Sequence, residues 1–297
     1  TFYGCTSLTS ITIPESVTKL GGTFSGCSSL TSVTIPNSVT YLGSGTFSGC
    51  TALTQAIIGD GVTEIGCGTF RNCRSLTSVT IGKSVTRIRE YAFDGCTGLT
   101  SVHITDLAAW CNITSDEIDP FYSNPMFYAK HLYLNGQEIK GHLIIPDSVT
   151  RIGVGAFYGC SGLTSITIPN GVNNIWICDY AFSGCSSLTD VYCYAERTSV
   201  YLPIGVYDRA FKDSPIESAT LHVPSRDISK YKNHSIWRGF GSIVPLTDED
   251  GIERVKASED VVEVARYDAL GRKIRIPQKG INIIQFKDGT KRKVLVK

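Results

Sequence analysis

Apolar and hydroxyl residues alternate in a short stretch that is typical of much of the chain. In residues 30–36, Val33 and Ile35 alternate with Ser32 and Thr34, which is the two-residue period of a strand with one buried face. The proline that follows has no N–H group, so it ends the strand. We predict that Val33 and Ile35 face a core, that Ser32 and Thr34 face solvent, and that a second, shorter extended segment and a glycine turn follow.

The same pattern returns along most of the chain, each time beside a phenylalanine that usually opens a Phe-x-Gly-Cys motif. These phenylalanines are Phe2, Phe24, Phe47, Phe70, Phe93, Phe157, Phe182 and Phe211. The first five are 22 or 23 residues apart, and a fixed period in this range indicates a solenoid whose coils bury their apolar sides only against one another. We predict a right-handed superhelix of parallel strands with little helix over residues 1–246.

The rhythm breaks over residues 105–141, which we interpret as an insert. Asp106 or Thr105 is placed to cap a short helix over 106–111, and Asn135-Gly136 is typical of a hairpin turn. The aromatic residues of this segment have two interpretations. They form a small core that packs the insert onto the solenoid, or they project a surface for a partner or a sugar ring. The candidates for the second are Trp110, Tyr122 and Tyr128.

Two further segments follow the last repeat. Residues 225–246 are predicted to cap the array, with a helix that begins at Ser225 and with four apolar residues over the open core: Ile236, Trp237, Phe240 and Ile243. Residues 247–297 are predicted to form a separate all-β module. Residues 248–297 hold 12 Lys or Arg and 9 Asp or Glu, a clear shift in composition, and they read as two hairpins, the second around Asp288-Gly289.

Seven of the eleven cysteines occupy one position of the repeat: Cys5, Cys27, Cys50, Cys73, Cys96, Cys160 and Cys185. Equivalent residues of neighbouring coils lie about 5 Å apart, which permits a disulfide, but a ladder could bridge only alternate pairs. We therefore favour free, buried thiols. Disulfides, to be sought among the cysteines off the ladder, and a metal are the alternatives. No C-x-x-C pair or nearby histidine provides zinc spacing, so no metal and no cofactor are predicted.

Charge and motifs narrow the classes of function. The net charge is +1, which gives no field that would favour nucleic acid, and no run of 18 apolar residues predicts a membrane-spanning segment. The chain opens inside a repeat, so we expect an upstream portion, with its signal peptide, to have been removed. The segment 82–84 lacks the first glycine of a phosphate loop, and the five histidines are scattered. We expect no enzymatic activity.

The outward positions of the longer strand form a hydroxyl-rich stripe. Gln55 and Ile57 lie in it as well, and four residues with ring or carboxylate side chains break the hydroxyl pattern: His103, Asp190, Tyr192 and His222. The stripe has two interpretations, a solvated face that keeps a long sheet soluble or a flat recognition surface. On the second, the four exceptions are the candidate contact patch.

The repeats resemble the BspA-like leucine-rich repeats, also called the Treponema pallidum type. The resemblance rests on residues 181–189, Ala-Phe-Ser-Gly-Cys-Ser-Ser-Leu-Thr, and their equivalents, and covers about residues 1–224. It implies a curved solenoid that is secreted or lies on a bacterial cell surface and attaches to host proteins, other bacteria or surface glycans. The family brings no catalytic residues.

The tail resembles the C-terminal sorting domain of the type IX secretion route of Bacteroidetes. The matching segments are 267–272, 280–283 and 293–297. This resemblance implies export and surface attachment, in many cases with removal of the domain. The alternative is a small β module that only caps or spaces the solenoid.

These observations favour an extracellular, adhesin-like protein that binds a host protein or another cell surface through its repeats. Two alternatives stay open. One is carbohydrate binding by the aromatic residues of the insert, and the other is a surface scaffold without a specific ligand.

Overall fold

The computed structural model of the chain describes residues 2–115, 122–169, 175–194, 209–234, 237–247, 263–269, 271–274, 278, 280–286 and 291–296. Strand residues outnumber helical residues in these ranges, and the α-helices among them have only four or five residues each. None of these helices has the length or the hydropathy needed to cross a bilayer. The parallel solenoid predicted from the period is confirmed. Strands and helices are numbered along the chain.

The longer strand of each coil pairs with its equivalent in the next coil. The first sheet contains β2 (Ser32–Ile35), β4 (Gln55–Ile58), β6 (Ser78–Ile81), β8 (Ser101–Ile104), β10 (Leu132–Leu134) and β11 (Gln137–Glu138). All neighbours are parallel except β10 and β11, which form the hairpin predicted at Asn135-Gly136. Val33 and Ile35 are buried, whereas Ser32 and Thr34 are exposed, as the alternation predicts.

A second sheet of longer strands lies beyond the insert. It contains β12 (Gly141–Ile144), β14 (Leu163–Ile168), β16 (Asp190–Cys193), β17 (Thr220–Val223) and β18 (Ser242–Pro245), in this order and all parallel. Buried and less buried side chains alternate in β16 and β17 as they do in the first sheet, whereas in β14 Thr167 is also buried.

A second side of the solenoid is built from two-residue strands. They are β1 (Lys19–Leu20), β3 (Tyr41–Leu42), β5 (Glu64–Ile65), β7 (Arg87–Ile88) and β9 (Thr114–Ser115), followed by the separate pair β13 (Arg151–Ile152) and β15 (Trp176–Ile177). Each pairs in parallel with its neighbour. A coil therefore bonds to the next coil along both of its extended segments.

The turn that contains the phenylalanine forms the third side and also bonds to the next coil. The N–H of Phe47 donates to the Thr69 carbonyl at 2.8 Å, and the N–H of Phe70 donates to the Ala92 carbonyl at 2.8 Å. The phenyl rings stack in a column, with centroids 5.2–5.5 Å apart on both sides of the insert. This column is the centre of a single buried core that runs from Ile13 to Phe240.

The glycine of the Phe-x-Gly-Cys motif is required by the backbone. Gly49 has a φ of 74°, and Asn72, at the same position of the next coil, has a φ of 58°. Glycine takes this left-handed conformation without steric cost, and asparagine tolerates it better than most residues. The prediction that Gly49 needs a conformation disfavoured by a Cβ atom is therefore confirmed.

The cysteine ladder consists of free thiols. Several of them donate a hydrogen bond to a backbone carbonyl of the preceding coil. The Sγ atoms of Cys50, Cys73 and Cys96 lie 3.1–3.2 Å from the carbonyl oxygens of Phe24, Phe47 and Phe70. All eleven cysteines are unbridged. Burial raises the pKa of the Cys50 and Cys96 thiols to about 12, so these groups stay protonated and unreactive. Cys5 differs because it lies in the first coil and is exposed.

The insert packs into the solenoid rather than projecting from it. Helix α1 (Leu107–Cys111) begins after Asp106, whose side chain accepts a hydrogen bond from the Ala109 N–H as predicted. Helix α2 (Met126–Ala129) ends at Lys130, which has a φ of 60°. Leu107, Trp110 and Met126 are part of the common core, which supports the interpretation of the insert as a packing unit.

The end of the array is covered, but not by the predicted helix. Ser225–Asp227 is a 3₁₀ turn preceded by Pro224, and α3 (Ile228–Lys232) follows it. The predicted N-cap at Ser225 is wrong, because the tight turn places Asp227 at the start of the helix instead. Trp237 and Phe240 are buried against Phe211, as predicted. Ile236 lies outside the described residues.

The tail forms a four-stranded antiparallel sheet. Its strands are β19 (Glu263–Asp268), β20 (Lys273–Ile274), β21 (Gly280–Phe286) and β22 (Lys291–Val296), in the order β20-β19-β21-β22. Both predicted hairpin pairings are present, and β19 pairs with β21 to join them. The turn at Asp288-Gly289 lies outside the described residues.

The thiol ladder gives a first prediction. We expect Cys73→Ala to lower the free energy of unfolding by about 1–2 kcal/mol, because it removes a buried sulfur and its hydrogen bond to Phe47. Urea denaturation followed by circular dichroism measures the change. Cys67→Ala is the matched control, since Cys67 is exposed. Equal stability of the two variants would contradict a role for the ladder in the fold.

Candidate binding surface

The outward face of the longer strands carries two parallel columns of side chains. In the first sheet, the register places Thr34 beside Ile57, then Thr80, His103 and Tyr133. In the second sheet, the columns read Ser165, Asp190, Thr220, Ser242 and Thr167, Tyr192, His222, Val244. The four candidate residues His103, Asp190, Tyr192 and His222 therefore lie on outward strand faces, as the alternation predicted.

One exception lies at the end of the first sheet. His103 stacks on Tyr133 of the neighbouring strand, with ring centroids 4.8 Å apart and planes 14° apart. The His103 Nε2 atom is 3.3 Å from the Ser101 hydroxyl. Partial burial lowers the pKa of His103, so the ring is neutral at pH 7.

The other three exceptions form one cluster on the second sheet. Tyr192 stacks on His222 with centroids 4.4 Å apart, and His222 Nε2 lies 3.0 Å from Asp190 Oδ1. The Asp190 carboxylate thus fixes the imidazole against the phenol ring. We call Asp190, Tyr192 and His222 the second-sheet cluster. The His222 side chain is only 14% exposed, and rings held by neighbours lose little conformational freedom when a partner binds.

His142 extends this cluster to the first strand of the sheet and was not assigned from the sequence. Its ring centroid is 6.0 Å from that of Tyr192. Its Nδ1 lies 2.5 Å from the Ser165 hydroxyl, and its Nε2 lies 3.0 Å from the Thr167 hydroxyl. The sequence could have identified His142 as a candidate. It lies at an outward position of the strand that restarts the repeat, where most other coils have serine.

The tail lies beside this part of the surface. Neighbouring groups desolvate the His142 imidazole and, together with the positive charge of Lys293, lower its pKa to about 4. Gly280 of the tail packs against Asp147, where a Cβ atom would overlap the carboxylate. Because the unfolded chain would take up the His142 proton first, this residue makes stability fall as the pH drops from about 6.5 to about 4.

The aromatic candidates of the insert lie in different environments, and Trp110 and Tyr122 differ most in exposure. Trp110 is 3% exposed, and its Nε1–H donates to the Ala156 carbonyl at 2.9 Å. Its assignment as a partner-binding residue is therefore wrong, because neither a partner nor a sugar reaches its ring. Tyr122, in contrast, is 40% exposed and stacks on Tyr91.

Tyr128 completes the hydrogen bonding between coils. In regular coils the glycine N–H of the Phe-x-Gly-Cys motif donates to a carbonyl of the next coil, as Gly49 does to Arg71 at 2.8 Å. At the insert, the Gly95 N–H donates to the Tyr128 hydroxyl at 3.1 Å instead. Burial raises the pKa of Tyr128. The hydroxyl replaces a backbone carbonyl, which explains Tyr128 without a ligand.

No metal or cofactor site is apparent in the described ranges. Within them, His, Cys, Asp and Glu side chains do not gather in groups of three or more that could hold a metal ion. The surface offers aromatic, imidazole, carboxylate and hydroxyl groups at fixed positions, which is chemistry for recognition.

The role of Tyr128 is testable. We expect Tyr128→Phe to lower the free energy of unfolding by about 1–2 kcal/mol, because the Gly95 N–H loses its acceptor while the ring keeps its packing. Chemical denaturation measures the loss. Tyr41→Phe, at an exposed tyrosine, is the control. A Tyr128→Phe variant as stable as the parent would show that the hydroxyl is dispensable.

The contact between the tail and the strand face is testable in the full chain. We expect Lys293→Gln to raise the pKa of His142 while leaving it below 6.5, because the charge is removed but the desolvation remains. An NMR titration of the histidine ring protons measures the shift. Lys83→Gln, whose lysine lies beside Asp60, is the control. An unchanged pKa would argue against the contact.

Comparisons with known proteins agree with the repeat architecture. The family model described as "BspA type Leucine rich repeat region" matches six copies over residues 1–113 and 133–231. No curated protein matches the chain.

Solved structures of similar proteins come from several bacteria. A leucine-rich cell surface protein of Faecalibacterium prausnitzii is 23% identical, with 79% of this chain and 84% of that chain covered and a TM-score of 0.34. A leucine-rich repeat protein of Bacteroides ovatus is 24% identical, with 82% and 76% covered and a TM-score of 0.33. The pneumococcal vaccine antigen PcpA is 17% identical, with 73% and 56% covered and a TM-score of 0.39. The family model covers most of the chain, and its repeats are the coils described above, so the chain belongs to the BspA-type leucine-rich repeat family.

Proposed function

We propose that this chain is an extracellular or cell-surface binding protein that recognises a protein partner through the outward strand face. A protein-interaction or surface role fits the BspA-type family. The observation that carries the proposal is the second-sheet cluster, where Asp190, Tyr192 and His222 interrupt an otherwise hydroxyl-rich face. The partner is a protein of a host matrix or of another cell.

The composition of the cluster supports this choice. Tyrosine is enriched among the residues that carry most of the binding energy in protein interfaces, whereas serine and threonine are under-represented there. The Tyr192 phenol presents fixed apolar area. The His222 imidazole stacks on it and is held through its Nε2 atom by Asp190, so it keeps the phenol ring in place. Ser165, Thr220 and Ser242 of the neighbouring strands place hydroxyl groups around the two rings. This arrangement matches an interface with a small aromatic centre.

The tail has a separate role in the proposal. Residues 1–246 are assigned to recognition and residues 247–297 to export and surface attachment, as the resemblance of the tail to a type IX sorting domain suggests. The described tail strands form a sheet of their own, β19 to β22, which is consistent with a module whose function differs from that of the repeats. A bacterium of the Bacteroidetes type is the source that this assignment implies.

The experiment is a binding assay of the full chain against immobilised host matrix and bacterial surface proteins. For any protein that binds, we expect Tyr192→Ala to weaken the affinity by roughly 10- to 30-fold, which corresponds to about 1.4–2 kcal/mol. His222→Ala should weaken it in the same direction. Surface plasmon resonance measures both.

The matched control is Tyr41→Ala, which removes a tyrosine that is 53% exposed on the side of the two-residue strands. Its affinity should equal that of the parent. If a protein partner binds and both Tyr192→Ala and His222→Ala leave the affinity unchanged, the strand face is not the recognition surface.

A further inference from the structure

A second surface patch lies on the turn side of the solenoid, where the insert meets the regular coils. It consists of Arg71, Tyr91, Asp94 and Tyr122, and we call it the junction patch. We propose that the junction patch binds a neutral sugar unit of a glycan. This goes beyond the proposed protein binding, because the patch belongs to the turns and not to the longer strands.

The first observation is the backbone conformation of Tyr91. The residue two positions before the column phenylalanine is glycine in four coils, Gly22, Gly45, Gly68 and Gly155, and its φ there is between 58° and 64°. Tyr91 takes the same position with a φ of 55°. This left-handed region disfavours residues that have a Cβ atom. A tyrosine here therefore needs a reason that outweighs the conformational penalty.

Tyr180 is the other tyrosine at this position, and burial explains it. Its φ is 57°, but the residue is only 5% exposed. Its hydroxyl accepts a hydrogen bond from the Arg209 guanidinium at 2.9 Å, and its ring contacts Phe127. Tyr91 has no such burial, because it is 36% exposed. Core packing therefore accounts for Tyr180 and not for Tyr91.

The second observation is that two exposed tyrosines meet. Tyr91 and Tyr122 come from distant parts of the chain, and their rings stack with centroids 5.9 Å apart and planes 27° apart. Tyr122 is 40% exposed. One ring comes from a regular coil and the other from the insert, and each holds the other in place. Their exposed surface is a platform on which a flat apolar ligand face can lie.

The third observation is a charged pair beside the platform. The Arg71 guanidinium lies 5.6 Å from the centroid of the Tyr91 ring, and its Nε donates to Asp94 Oδ2 at 2.9 Å. The Arg71 side chain is 53% exposed and that of Asp94 is 21% exposed. The pair fixes the orientation of both groups and leaves unused guanidinium N–H donors and carboxylate lone pairs at the rim of the platform.

These three observations select the class of ligand. A sugar ring offers C–H groups on its face, which pack on an aromatic ring, and hydroxyl groups at its edge, which both donate and accept. The tyrosine pair and the Arg71–Asp94 pair match these two features. Because the guanidinium and the carboxylate balance each other's charge, the patch does not favour an acidic sugar over a neutral one. Binding of a single unit is expected to be weak, as for other shallow and solvent-exposed sites.

The test is an NMR titration of the isotope-labelled full chain with a panel of neutral oligosaccharides: maltohexaose, cellohexaose, mannotriose and N-acetyllactosamine. We expect saturable shifts with at least one of them, centred on Tyr91 and Tyr122. Tyr122→Ala and Tyr91→Gly should each weaken that binding by at least 10-fold. Tyr41→Ala is the matched control and should bind as the parent does.

Tyr91→Gly separates function from folding. It restores the residue that four other coils have, so the melting temperature should stay close to that of the parent while the sugar affinity falls. The proposal is wrong if none of the four oligosaccharides binds saturably, or if Tyr91→Gly and Tyr122→Ala bind as tightly as the parent. It is equally wrong if sulfated heparin binds at the patch more tightly than every neutral oligosaccharide.

Discussion

Hydrogen bonding between consecutive coils is the constraint on which the rest of this structure depends. A single coil has two short strands and one turn, and none of them can satisfy its backbone groups or bury its apolar side alone. Each coil therefore offers N–H and carbonyl groups to its neighbours along all three sides, including the turn, where the Phe47 N–H donates to Thr69. Side-chain hydrogen bonds also join consecutive coils. The Cys73 thiol donates to the Phe47 carbonyl, and the Thr54 hydroxyl donates to the Thr31 carbonyl.

This constraint explains why the repeat is readable in the sequence. A residue that fits the space between two coils fits it again in the next coil, so phenylalanine, cysteine and the left-handed glycine return at a fixed period. The parallel solenoid followed from that period. The burial of Val33 and Ile35 followed from the alternation along the strand, and the free thiols followed from the recurrence of cysteine at one repeat position and the preference of thiols for burial. The outward position of His103 also followed, because alternation along a strand decides the face of each residue. What the repeat could not provide was the pairing of His103 with Tyr133, since the latter lies in the insert, where the period is lost.

The wrong assignments come from places where coils are not equivalent. Trp110 lies on a short helix for which no other coil offers a precedent, and its indole N–H reaches Ala156, 46 residues away. Tyr128 was a candidate for binding because it is one of the aromatic residues of the insert, and the structure shows that its hydroxyl accepts from the Gly95 N–H, where a regular coil has a backbone carbonyl. Ser225 was expected to cap a helix, but the turn after Pro224 is a 3₁₀ turn. Trp110 and Tyr128 make contacts between segments far apart in the chain, which local patterns do not encode, whereas Ser225 lies in a local turn whose type the capping pattern does not distinguish.

The equivalence of coils also provides the strongest argument about function, because each coil serves as a control for the others. A buried position tolerates few residue types, so a deviation there reports on packing, as Tyr180 does. An outward position carries little structural demand, so a deviation there needs another cause. Tyr91 departs from the residue that four other coils have, and its side chain is exposed. These are the two conditions for a functional assignment. The four glycines at its position show what the backbone prefers, and Tyr91 is 36% exposed where Tyr180 is 5% exposed. The second-sheet cluster is argued in the same way, from its difference from equivalent positions in other coils. The argument is weaker there, because serine and threonine at those positions are common surface residues and are not required by the backbone conformation.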